Sequence, residues 1–283
     1  MPALDDNLTD AQFKRVADIV YKHCRINLHD GKRDLVRARL TRRLQETGIA
    51  DFKTYLADLE ANPGAPEFQK FIDSLSTNLT SFFRESSHFD YLVKTHLSEV
   101  MRRKKAAGSK SIRGWSAGCS SGEEPYTLAI TLLEALGNDG SDCGGWDVKL
   151  LASDLSTRVL SKAQAGVYPA ERVKNVPKPM LARHTDPRQM PNGDAAVAMK
   201  PHVRELIKFR HLNLMEPWPF RGPFDFIFCR NVMIYFDKPT QETLVNRYHE
   251  VLAPGGVLFT GHSESLTGIS HSFKYTQATI YKK

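Results

Sequence analysis

At 283 residues, with 41% apolar and 25% charged side chains, the chain can bury a substantial core, which excludes disorder and fits one large domain or two unequal ones. Apolar runs such as Pro223 to Phe236 are broken by charge well before membrane-spanning length, and the N-terminus lacks a basic-then-apolar leader. Cys24, Cys119, Cys143 and Cys229 form neither a CxxC pair nor zinc-ligand spacing, so neither a disulfide framework nor a structural metal is expected, and a reducing cytoplasm fits best.

From Thr9 to about Ser76 apolar residues recur three and four apart, which predicts helices throughout. Phe13, Val16, Ala17 and Val20 make one stripe, Phe52, Tyr55, Leu56 and Leu59 a second, and Phe68, Phe71, Ile72 and Leu75 a third. Thr9 and Gln12 have the spacing of a capping box, and the Pro-Gly turn at 62–66 separates the last two stripes. Residues 1–76 therefore read as a small all-helical domain, followed by a polar and aromatic linker over 77–87.

Beyond the linker the pattern alternates. A helix carrying Phe89, Leu92, Val93, Leu97, Val100 and Met101 feeds a strand at 111–117, a helix at 123–136 and a strand at 148–154. Segments 206–214, 224–231 and 255–261 read as strands, and 240–252 as a helix with apolar positions 244, 245, 248, 251 and 252. Such alternation predicts an α/β domain over 88–283, a mostly parallel sheet covered by helices on both faces. The last segment, 274–283, follows a strand with no helix between and is expected as an antiparallel edge. The proline-rich stretch 166–205 is expected as an inserted antiparallel sub-structure.

The chemistry concentrates at "GWSAGCSSGEEPYTLAI", 114–130. Gly114, Gly118 and Gly122 recur every fourth residue, which matches neither the dinucleotide fingerprint nor the phosphate-binding P-loop. Ser121 and Glu124 fit a capping box with Pro125 in the first turn, so the acids can be read as complements to a helix dipole. Small residues from 116 to 122, Gly118 among them, also let a ligand touch backbone, and carboxylates there repel a pyrophosphate but attract an ammonium or sulfonium. S-adenosylmethionine carries both cations and no phosphate. Asp154 closes the next strand, where a nucleotide-binding sheet places a carboxylate for the ribose hydroxyls, although aspartate also suits a helix N-cap. Trp115 reads as core or pocket wall, and His262 as a turn residue beyond a strand end.

These residues resemble the CheR-type chemotaxis receptor methyltransferases, which methylate glutamate side chains using S-adenosylmethionine. The matching segments, in order, are "STNLTSFFRE", "SAGCSSGEEPYTLAI", "ASDLS", "NL" at 213–214, "FDFIFCRNVMIYFD" and "GGVLFTGHSE". The resemblance implies a helical N-terminal domain joined to a class I, Rossmann-like methyltransferase domain with a short antiparallel insertion. It implies cofactor contacts at Asn78, Thr80, Arg84, Glu123, Asp154, Asn213, Leu214, Arg230 and Asn231, with no metal. Arg84, Arg230 and Tyr235 are expected to orient cofactor and substrate carboxylate. No proton needs abstraction, because a glutamate with pKa about 4.3 is already ionised at neutral pH.

The formal charge of +7 points to an acidic partner, and it is concentrated. Lys32 to Arg43 holds six basic residues and one acid, and Val100 to Arg113 holds six and none. On a helical wheel Val36, Leu40 and Leu44 fall within about 80°, while Lys32, Arg39, Arg42 and Arg43 share a separate arc of about 100°. A solvated face is the bland meaning of that arc. With the resemblance, it becomes the surface expected to dock the acidic cytoplasmic helices of chemoreceptors, the chain acting as a monomer with no nucleic-acid or membrane partner. The inserted stretch carries only Gly193 where some relatives have a glycine-rich loop that anchors a receptor peptide, so such a tether is not expected. A nucleic-acid methyltransferase is the first rival, opposed by the absence of base-modification motifs; a non-catalytic cofactor-sensing module is the second.

Overall fold

Thr9 and Gln12 close the expected capping box and open α1, Asp10–Cys24, which ends at Arg25 in a left-handed conformation. In the computed structural model, which describes residues 7–137 and 139–283, three more helices follow: α2 Arg33–Thr47, α3 Phe52–Ala61 and α4 Pro66–Leu75. Asp51 caps α3 through the Thr54 amide at 2.8 Å, and proline opens α4, where its missing N–H costs nothing. The three apolar stripes face inward. Val16, Leu40, Tyr55, Leu56 and Phe71 are fully buried.

This helical unit runs to Thr77 and takes in Tyr235–Thr240 from later in the chain. Asn27 N–H donates to the Tyr235 carbonyl at 2.8 Å, the Tyr21 hydroxyl donates to Asp237 at 2.6 Å, and Ile26 bridges Phe236. The Tyr235 hydroxyl lies 3.5 Å from the Thr77 carbonyl.

The basic arc of α2 is not uniformly open. Arg39 donates to the Leu75 carbonyl at 2.8 Å, and Arg43, 11% exposed, donates to Glu67, which also accepts from the Tyr55 hydroxyl at 2.7 Å. Both arginines flank the apolar stripe, so their long stems fold along it and deliver the guanidinium to α4. The expectation that all four cations face a partner is corrected accordingly. Lys32 is exposed, and Arg42 is 79% exposed with only an i,i+4 pair to Glu46.

The second unit spans Asn78–Ile234 and Gln241–Lys283, so the expected linker belongs to it from Asn78 onward. A helical run combines α5, Ser87–Tyr91, a widened π-helical turn at Leu92–Leu97 and α6, Ser98–Ala106. It leads to β1 Ser111–Ala117, α7 Glu123–Leu136, β2 Asp147–Asp154 and α8 Thr157–Ala165. The insertion follows as β3 Val167–Pro169, α9 Lys178–His184, β4 Thr185–Gln189, β5 Ala195–Met199 and α10 Pro201–Arg204. Its strands form an antiparallel sheet in the order β3-β5-β4.

The main sheet then gains β6 Ile207–His211, β7 Phe224–Cys229, α11 Lys238–Val251, β8 Leu252–Thr260, β9 Lys274–Gln277 and β10 Ile280–Lys282. Among the described residues its order is β6-β2-β1-β7-β8-β10-β9, parallel from β6 to β8 and antiparallel beyond. The segment expected as one antiparallel edge strand is a hairpin, because the chain turns at Ala278 and Thr279, the latter at φ 60°. β1 pairs with β2 on one side and β7 on the other, so the chain reverses its winding direction beside β1, and ligands of open α/β sheets bind at the carboxyl ends there.

The basic segment 100–113 is partly consumed within this unit. Asp225 on β7, fully buried, pairs with Arg103 at 3.0 Å and Lys104 at 3.2 Å, and accepts the Arg113 amide at 2.9 Å. His96, in the π-helical turn, is 1% exposed and contacts the Asp225 carbonyl at 2.9 Å. Burial lowers its pKa from 6.5 to about 4. The unfolded chain therefore binds a proton near pH 6.5 that the folded chain refuses until about pH 4, and stability falls as pH drops through that window. The loss is on the order of 1 kcal/mol per pH unit. His96→Gln, which keeps a donor for the carbonyl, should flatten the decline in urea midpoint between pH 6.5 and 4.5; an unchanged slope would exclude His96 as its source.

Candidate active site

The carboxyl ends of the parallel strands converge on one set of turns. β1 runs into Gly118, at φ 82°, where an added Cβ would lie 2.3 Å from Val232 Cγ2. Gly122, at φ 97°, begins α7 without a side-chain cap. The Ser121–Glu124 capping box is thus not formed. Ser121 Oγ instead donates to Glu123 at 2.6 Å, and Glu124 turns back to accept from Ser116 Oγ at 2.7 Å.

Glu123 is fully buried and ion-paired with Arg172 from the insertion, which also donates to the Thr80 carbonyl at 3.1 Å. Asp154 is 8% exposed and accepts the amides of Ser120 and Ser156 at 2.8 and 2.9 Å, so it fastens the glycine loop to the end of β2. Neither a helix cap nor ribose binding foresees that anchoring role.

Asn78 supplies its carbonyl to Ser120 Oγ at 2.9 Å, while its side-chain nitrogen is buried without a hydrogen-bond partner. Arg84 donates to the Leu79 carbonyl at 3.0 Å. After β6, Asn213 accepts the Met215 amide at 3.0 Å, and the buried Leu214 offers its carbonyl to Trp218 and Arg247. Trp115 is core, fully buried and edge-on to Trp218 at 4.8 Å.

Arg230, at the end of β7, is the centre of the arrangement. Only 5% exposed, it lies between Glu124 at 3.3 Å and Glu85 at 3.5 Å, donates to the Arg84 carbonyl, and sits over the rings of Phe89 and Phe228 at 5.4 and 5.8 Å. Its Nε and Nη1 have no hydrogen-bond partner. Burial raises the Glu124 pKa, and the Arg230 guanidinium pulls it back down.

Glu264, of the "GHSE" segment, was not singled out from sequence. Buried at 5%, it accepts the amides of Asn231 at 2.7 Å, Gly261 at 2.6 Å and Ile234 at 3.1 Å, tying the loop after β7 to the loop after β8. An acid three residues beyond a strand-ending glycine was its available signal. Asn231 stands at φ 58° and Ser120 at φ 50°, with Phe83 and Glu85 at 52° and 56°. Four non-glycine residues in left-handed conformations around one site mark strain held in place by its neighbours.

Residues 78–282 match the family model described as CheR methyltransferase, SAM binding domain, and residues 11–76 match the CheR methyltransferase, all-alpha domain. The chain is 43% identical over 279 residues to a chemotaxis protein methyltransferase of Klebsiella aerogenes, covering 97% of this chain and 90% of the relative. The Salmonella typhimurium and Escherichia coli proteins of the same description are each 42% identical, over 97% of this chain and 90% and 91% of theirs. The chain belongs to the CheR methyltransferase family. That assignment removes the nucleic-acid methyltransferase as an account of the basic charge, and it fits a glycine loop lined by acids in place of a phosphate cradle.

Gly118→Ala should lower stability by about 1–2 kcal/mol from the left-handed backbone alone, with the Val232 clash adding to it, and should weaken binding of S-adenosylhomocysteine. Val232→Ala in the same chain should restore only the clash component. Urea unfolding and calorimetry read both effects; an alanine variant with unaltered stability would contradict the close approach.

Proposed function

We propose that this CheR family member transfers the sulfonium methyl group of S-adenosylmethionine to glutamate side-chain carboxylates of chemotaxis receptors in the cytoplasm. The observation that carries the reading is a set of carboxylates, the buried Glu123 and Asp154 with the half-buried Glu124, around a glycine loop at the carboxyl ends of β1 and β2. Such a site selects a cation and rejects a pyrophosphate. Bound S-adenosylmethionine supplies an electrophilic methyl carbon.

The residues named from the resemblance serve four tasks. Glu123, Asn78 and Thr80 hold the amino-acid end of the cofactor, Asp154 the ribose, and Asn213, Leu214 and Asn231 the remaining surface. Arg230, with Nη1 unsatisfied in a buried setting, orients a carboxylate, and Arg84 sits one carbonyl away from it. Methyl transfer from sulfonium to carboxylate neutralises both charges, so a water-poor site favours the transition state over the ion pair in solution. No base is required. Arg230→Ala should lower kcat by at least about tenfold with S-adenosylhomocysteine affinity reduced less, consistent with loss of a positioning contact. Transferred label should leave as methanol in alkali, the signature of a carboxyl ester. Base-stable label would remove the reading.

Receptor docking is supported by the exposed cations of the helical unit, Lys32 and Arg42. Interactions between exposed charges are screened by salt, so they act chiefly on encounter. Lys32→Glu with Arg42→Glu should raise KM for receptor several-fold at low salt, flatten its salt dependence and leave kcat near wild type. Identical KM values at 50 and 200 mM salt in wild type and variant would remove this surface.

A further inference from the structure

We propose that Glu85, His88 and His262 form a binding site for a divalent transition-metal ion of the Zn²⁺ type, and that an ion bound there withdraws Glu85 from Arg230. Among the described residues these three form the cluster whose ligand atoms all lie within 4.8 Å of one another. Glu85 and His88 are three residues apart at the entrance to α5, and His262 follows β8 in the "GHSE" turn.

The hydrogen-bond network fixes the state of His88, which is 1% exposed. Its Nε2 lies 2.8 Å from Thr279 Oγ1, and that hydroxyl donates its own hydrogen to the Ala278 carbonyl at 2.7 Å. With that hydroxyl donating to Ala278, Thr279 Oγ1 accepts, the imidazole proton is assigned to Nε2, and Nδ1 is left with a lone pair. That lone pair faces Glu85 Oε2 at 3.6 Å, and both atoms are buried without a hydrogen-bond partner. Two acceptors opposed in a buried place call for a cation between them.

A metal ion fits the spacing. His262 Nε2 lies 4.0 Å from the same Glu85 oxygen. Tetrahedral zinc with bonds of about 2.0–2.1 Å places its ligand atoms about 3.3–3.4 Å apart, inside the observed 3.6 and 4.0 Å, so the ligands must draw together around an ion. The His262 side chain is 57% exposed and can swing inward, so it offers both the third ligand and a route from solvent. Two histidines and one glutamate leave a fourth position for water. Arg230 Nε, 3.5 Å from Glu85 Oε2, competes with the ion for that carboxylate. The inhibition that follows rests on the positioning role proposed for Arg230; the binding does not.

Co²⁺ is the probe, because its d–d absorption reports tetrahedral nitrogen and oxygen ligation. One ion per chain should bind, and His262→Ala should weaken it by about tenfold or more, given that even outer-shell changes cost 10–100-fold. His29→Ala, an exposed histidine of the helical unit, should bind as wild type. Zn²⁺ should inhibit methyl transfer, and the His262→Ala variant should need about tenfold more of it. Equal Co²⁺ affinity in wild type and His262→Ala, or a cobalt–thiolate charge-transfer band, overturns the site. The titration needs no turnover, so its failure leaves the methyltransferase reading untouched, and a failure of that reading leaves the titration decisive.

Discussion

A buried guanidinium is the constraint around which the catalytic unit is arranged. Arg230 ends a strand whose six residues are all buried, and a charge taken out of water there costs several kcal/mol unless other groups replace its hydration. Replacement comes from three directions: Glu124 from α7, Glu85 and the Arg84 carbonyl from the linker, and the faces of Phe89 and Phe228. Each drags its own segment with it. The linker reaches Arg230 with left-handed conformations at Phe83 and Glu85, and the Glu124 side chain, in the first turn of α7, turns from the helix-start amides to Ser116 and Arg230.

Strain of this kind costs roughly 1–3 kcal/mol at each residue and persists only where neighbours over-determine it. Here the over-determination is carboxylate to backbone. Glu264 gathers three amides around Asn231 and Gly261, and Asp154 gathers two around Ser120 and Ser156. A carboxylate that accepts several N–H groups repays part of its own desolvation while it pins loops that would otherwise relax. The loops after β1, β7 and β8 are held by acids, and the ligand surface is what their backbones leave exposed.

The sequence made much of this legible where period and chain order decide it. The helical stripes at Phe13, Tyr55 and Phe71, the strand 111–117 and the helix 123–136 follow directly from spacing, and the structure reproduces the last two at the same residues. Side-chain direction at helix starts was not legible. Ser121 and Glu124 have the spacing of a cap, yet a buried arginine about a hundred residues downstream outbids the local amides, and no local pattern encodes that. Arg43 fails for a related reason: a wheel assigns it to the polar arc, but Glu67 and Tyr55 meet it at the arc's edge. The turn at Ala278 and Thr279 is hidden because neither residue is glycine, although Thr279 adopts φ 60°. Glu264 was missed since a single acid after a strand looks like solvent-facing polarity.

An enzyme that methylates carboxylates here carries carboxylates of its own at the carboxyl ends of β1 and β2, where the methyl donor is proposed to bind, and its geometry must keep those from reacting. In-line displacement needs a free lone pair aimed along the carbon–sulfur axis. Glu123 is committed to Arg172 and Ser121, Asp154 to two amides, and Glu124 to Ser116 with Arg230 alongside. Each acid is held by bonds that fix its orientation and draw electron density from its oxygens, which lowers its nucleophilicity while preserving its field. A glutamate on a separate receptor lacks those bonds. Under the cofactor placement proposed above, the protein distinguishes its own carboxylates from its substrate's by hydrogen bonding rather than by residue type, and the acids proposed to attract the sulfonium are the ones its own bonds make unreactive.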